Sequence, residues 1–133
     1  MSEQIRKSWT IPISKIDAAK QQVFGWASVV EEGGKPVVDS QGDVITVDEL
    51  EKAAYSFNVR KGIAGDNHER IGVGRLIESM VFTVEKQQAL GIDLGKVGWW
   101  VGFHIQDPDT WAKVASGEYV DFSIGGSGRR VPA

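Results

Sequence analysis

The sequence contains no cysteine, which excludes disulfides, thiolate metal sites and a cysteine nucleophile. Histidine is nearly as scarce. Only His68 and His104 occur, and neither belongs to a His-Glu-x-x-His pattern, so no helical zinc site is expected. No P-loop is present, and Gly72 and Gly74 fall short of a dinucleotide fingerprint because no helix follows them. Neither a metal nor an organic cofactor is implied. There is no positive excess either: 15 Lys and Arg stand against 18 Asp and Glu. Broad attraction to nucleic acid or anionic lipid is therefore not expected. No apolar run approaches the roughly 18 residues of a membrane span. The polar start Met1-Ser2-Glu3-Gln4 lacks a signal-peptide core. These absences together predict a soluble, cytoplasmic protein without a membrane partner.

What is present is enough for one domain. The 133 residues can bury a genuine core but hardly two, so residues 1–133 are read as a single unit with a frayed polar tail at 1–8. Trp9, Ile11, Ile13 and Ile16 with Pro12 among them suggest an edge strand. Val23 to Val30 is a further strand, with Phe24, Trp26, Ser28 and Val30 on one face. Thr46 and Glu49 form a capping box, and Leu50, Ala53, Ala54 and Phe57 recur at helical spacing until Arg60 to Gly62. Ile71 to Val84 reads as one long strand or two with a bend. Glu85 to Lys96 is polar and reads as a loop. Val97 to Ile105, rich in tryptophan, is the most strand-like run. Asp107 and Pro108 open a second helix that stops at Gly117. The expected fold is α+β: a small, mostly antiparallel sheet of about six or seven strands closed into a barrel, flanked by two or more helices. The tryptophans at 26, 99 and 111 lie on periodic apolar faces and are expected in the core rather than stacked on bases.

The chemistry centres on Tyr119 to Gly126. Val120, Phe122 and Ile124 alternate with Asp121 and Ser123, so a half-buried strand should place the serine hydroxyl on the wetter face. Gly125 and Gly126 follow at once and leave backbone N–H groups open to approach. Such a serine beside open donors suits a nucleophile with an oxyanion hole, although a serine before glycine more often marks a turn. A serine hydroxyl needs a base, and histidine suits that task near neutrality. His68 lies in a polar loop with Asp66, Asn67, Glu69 and Arg70, where a purely solvated role is the ordinary alternative. His104, on the tryptophan strand, reads first as structural.

Taken in order, these pieces resemble the prohead (capsid maturation) proteases of tailed bacteriophages, in their XkdF-type branch. The resemblance is carried by Val23 to Ser28, Val38 to Thr46, His68-Glu69, Ile71 to Ser79, Trp111 to Glu118 and Asp121 to Gly126. It covers roughly residues 22 to 130. Such proteases are similar in fold to the herpesvirus assemblins, a β-barrel flanked by helices with a shallow surface site. The resemblance implies His68 as base and Ser123 as nucleophile. No histidine follows Ser123, so the third group is sought at Glu69, then at Asp121, Asp66 and Glu78, with His104 a further candidate. Arg129-Arg130 is similar to the arginine pair near the assemblin oxyanion hole, and residues 127–133 form a C-terminus that is flexible or shortened. The implied substrates are phage scaffolding and major capsid proteins, cut inside the assembling prohead in the host cytoplasm. A homo-oligomer is implied by analogy. The alternative is a catalytically incomplete barrel serving as a scaffold or virion interaction module.

Overall fold

The computed structural model describes residues 8–38, 42–60, 63–66 and 70–125, with backbone alone at 8, 63–66, 70–73 and 125. The expected tails at 1–8 and 127–133 lie outside these residues, apart from Ser8. Among the described residues there are eight strands and three helices. The strands are β1 (Ser8–Pro12), β2 (Lys15–Asp17), β3 (Gln22–Glu32), β4 (Lys35–Pro36), β5 (Ile63–Asp66), β6 (Arg70–Phe82), β7 (Lys96–Ile105) and β8 (Asp121–Gly125). The helices are α1 (Val47–Arg60), α2 (Val84–Leu90) and α3 (Pro108–Ala115).

The α+β expectation holds, but the barrel does not. All strands are antiparallel in one open sheet ordered β1-β8-β5-β6-β7-β3-β2, with β4 added beside β3. Both end strands come from one stretch of chain. The β1 ladder stops at Pro12 opposite Asp121, and the β2 ladder starts at Lys15 opposite Phe24. Proline has no N–H to carry a ladder onward. Between them, the Ile13 N–H donates to Val120 O and the Ser14 N–H donates to Phe24 O. Isolated bonds replace the continuous ladder that closure would require.

The two ends nevertheless touch, and they do so at a glycine. A Cβ on Gly25 of β3 would overlap the Pro12 carbonyl oxygen and come within 2.8 Å of Ile11 Cγ2. Main-chain atoms cannot swing aside as a side-chain tip can. Gly25→Ala is therefore expected to cost about 2–3 kcal/mol through overpacking, measured by urea denaturation. An unchanged midpoint would mean that the ends are not held together here.

The core lies on the side of the sheet covered by α1. Val97, Trp99, Val101, Phe103 and Ile105 of β7 are all buried there, the period-two pattern expected of that run. Leu50, Ala54 and Phe57 of α1 rest against them, with the Phe57 ring edge-on to Trp99 at 5.8 Å and to Phe103 at 6.3 Å. The capping box forms as read. The Glu49 N–H donates to Thr46 Oγ1 (3.1 Å) and the Thr46 N–H donates to Glu49 Oε1 (3.0 Å). Asp107 likewise caps α3, accepting from the Thr110 N–H.

Two readings of the chain are corrected. Residues 84–90 form α2 where a loop was expected. Thr83 caps it by accepting from the Lys86 N–H, and Gly91 ends it at φ 73°. What anchors α2 is a buried polar side chain: the Gln87 amide donates to Phe82 O and Lys96 O and accepts from the Leu94 N–H. Apolar periodicity cannot reveal such an anchor. The second correction is Trp26. Bulges in β3 after Trp26 and after Val29 break the expected single face, so that Val30 joins Val23 and Ala27 in the core. Phe24 and Trp26 pack on the other side of the sheet, against Trp100, at 6.4 Å and 5.2 Å between ring centroids.

Lys86 ties α2 to α1. Its Nζ donates to Glu51 Oε2 (3.0 Å), the Tyr55 hydroxyl (2.7 Å) and Val81 O (3.1 Å). The Glu51 carboxyl is held below its ordinary value, first by the Lys86 hydrogen bond and then by that from Tyr55. Burial works against the charge on Lys86, but hydrogen bonds to Tyr55 and Glu51 outweigh it and raise its value. The lowered carboxyl contributes stability above its unfolded value and loses it as pH falls through the folded one. The raised ammonium contributes below its unfolded value and loses it as pH rises through the folded one. A Glu51→Gln, Lys86→Met cycle should give about 0.5 kcal/mol of coupling at neutral pH, vanishing in acid. Coupling that survives full carboxyl protonation would rule out the ion pair as its source.

Candidate active site

β8 is an interior strand, paired on one edge with β1 and on the other with β5. Phe122 is opposite Ile11, and Ile124 is opposite both Trp9 and Ala64. Phe122, Ile124 and Ile11 are buried in the core, which locks the register. Ser123 is opposite Thr10 and Gly65. It therefore stands on the sheet face turned away from Phe122 and Ile124, as the alternation predicts.

Depth is where the reading fails. Ser123 is only 5% exposed, whereas Val120, expected on the core side, is 67% exposed. Val120 precedes the strand, so the alternation does not govern it. Period two assigns a face, not an accessibility.

The other predicted residues divide clearly. Asp121 lies two positions from Ser123 on the same face, half-buried, opposite Pro12. Asp66 closes β5, paired with Arg70 at the start of β6, and its neighbour Gly65 is the residue opposite Ser123. His68 and Glu69 lie outside the described residues, in the segment that joins Asp66 to Arg70. Gly125 ends β8 opposite Ser8, while Gly126 and Arg129 lie outside the described residues. The remaining two are not brought to the serine. His104 is on β7, opposite Arg75 and Gln22. That is three strand steps from Ser123, about 14 Å at roughly 4.8 Å per step. Glu78, exposed on β6 opposite Gly102, is two steps away and four residues along from Gly74, whose partner is Ala64.

Thr10 and Gly65 were not singled out from sequence. The alternation of Trp9 and Ile11 hints that Thr10 faces away from the core, but nothing local names its partner strand. Among the described residues, no group of three or more His, Asp or Glu gathers as a metal site. No helix among them is long and apolar enough to cross a membrane.

A family model described as "Putative phage serine protease XkdF" matches residues 10–132. The uncharacterized protein YqbD of Bacillus subtilis (strain 168) is 28% identical over 95 residues, which are 71% of this chain and 29% of YqbD. The chain thus spans less than a third of that relative's length. No solved structure matches it significantly.

Proposed function

The chain belongs to the XkdF family of phage serine proteases, and on that premise we propose that it is a serine endopeptidase with Ser123 as nucleophile and His68 as base. One observation carries the assignment: β5 lies in register beside Ser123 and leads directly into the segment that holds His68. His68 follows Gly65 by three residues, a span of at most about 11 Å. Ser123 Oγ attacks the scissile carbonyl while His68 takes its proton and passes it to the leaving amine. Water then hydrolyses the acyl-enzyme by the same proton path in reverse. Backbone N–H groups at Gly125 and Gly126, or near Arg129, hold the oxyanion. Glu69 or Asp121 orients the imidazole, with Asp66 next in order. Asp121 gains support from sharing the serine's face.

The substrates in this reading are scaffolding and major capsid proteins, cut as a prohead matures within the host cytoplasm, by a protease that works as a homo-oligomer. A second reading is a catalytically incomplete module that serves assembly by binding, and the low exposure of Ser123 favours it. Intact mass after treatment with a fluorophosphonate separates the two. A single adduct on wild type, absent from Ser123→Ala and His68→Ala, supports the protease. An unlabelled wild type, at concentrations where oligomers form, rejects it in favour of the binding module.

A further inference from the structure

We propose that Thr10 is a substrate-positioning residue of the Ser123 site, and that Gly65 keeps the opposite flank of the serine free of side chains for a peptide main chain. The inference rests on the reading of Ser123 as nucleophile. An interior strand gives each of its residues one opposed neighbour on either edge. For Ser123 these are Thr10 on β1 and Gly65 on β5. Directly opposed residues on antiparallel strands share a face, with Cβ atoms about 4.5–5.5 Å apart. A group held over Ser123 is therefore within reach of the Thr10 hydroxyl. On the β5 side the directly opposed residue is Gly65, which has no Cβ.

Thr10 is free of packing duties yet firmly placed. It is exposed, on an edge strand. Its two neighbours hold it in register: Trp9 lies edge-on to Trp99 at 5.3 Å, and Ile11 is fully buried. A slip of β1 by one residue would turn both out of the core. A hydroxyl both donates and accepts, so Thr10 suits a main-chain N–H or carbonyl beside the scissile bond. It transfers no proton and forms no covalent bond. It fixes the angle at which the peptide crosses the serine.

Two readouts on the same protein separate this role from the nucleophile's. One is kcat/KM on fluorescein-labelled casein, and the other is the rate at which a small fluorophosphonate labels Ser123. Thr10→Val keeps the β-branched shape and removes the hydroxyl. It should lower kcat/KM on casein by about 3- to 10-fold, mainly through KM, while labelling stays within about twofold. Thr10→Ser should restore casein cleavage. Gly65→Ala should slow casein and spare the small probe. Unchanged casein kinetics in Thr10→Val would overturn the proposal. So would an equal loss of cleavage and labelling, which would place Thr10 in the fold or in serine activation. A wild type that fails to label defeats the protease reading itself, and this inference with it.

Discussion

Ser123→Ala is expected to abolish hydrolysis of labelled casein, and His68→Ala to lower it by about a hundred- to ten-thousand-fold. The two losses differ in kind. Alanine at 123 removes the atom that would carry the acyl group, so no covalent path remains. Alanine at 68 leaves the serine in place but without a base, and solvent can substitute poorly. The pH profile sharpens the test: wild-type activity should rise as the base loses its proton, and that limb should disappear in His68→Ala. Glu69→Gln and Asp121→Asn then compete for the orienting role, and the true partner should show the larger fall. Neither change should touch β8 register, which Phe122 and Ile124 hold from the other face. Casein hydrolysis retained in Ser123→Ala would sink the assignment outright.

Trp99→Ala should lose about 3–5 kcal/mol of stability, the range for deleting a buried aromatic. Trp99 is fully buried and contacts three elements. Its ring meets Trp9 of β1 and Phe57 of α1, and its indole N–H donates to Ser79 Oγ of β6 at 2.9 Å. Removing it opens a cavity and takes the indole partner from Ser79. Trp99→Phe keeps most of the ring and should recover most of the loss, the remainder being about 1 kcal/mol for the hydrogen bond. Urea denaturation gives both numbers. Because Trp9 rests on Trp99, the alanine variant should also loosen β1 beside Ser123. A loss below about 1 kcal/mol would mean that the surrounding rings close the gap.

The sequence was most readable where the signal is local. Thr46 with Glu49, and Asp107 with Pro108, announce helices through groups no more than three residues apart, and both caps form. Pro12 correctly marks an edge strand. The face of Ser123 follows from period two alone. What stayed hidden depends on which strands become neighbours. His104 and Glu78 looked available until the order β8-β5-β6-β7 put strands between them and the serine. The barrel was expected because hairpins and short helices permit closure, whereas its absence turns on Pro12 and the short β1-to-β2 join. α2 depends on Gln87, a polar residue whose three hydrogen bonds all reach beyond its own helix.

The β1–β8 ladder joins Trp9 to Ile124 and Thr10 to Ser123, residues far apart along the chain. A contact of such long sequence separation gains nothing until an extended loop has been closed, and that entropy must be met first. Topologies dominated by pairings of this sort belong to the slow-folding class. On a ribosome, β1 emerges before β8 and has to wait for it, so the pairing that sets Ser123 opposite Thr10 cannot form until β8 has been synthesised. The arrangement acts as a timer: a nascent chain is without its Ser123 site for as long as β8 is missing.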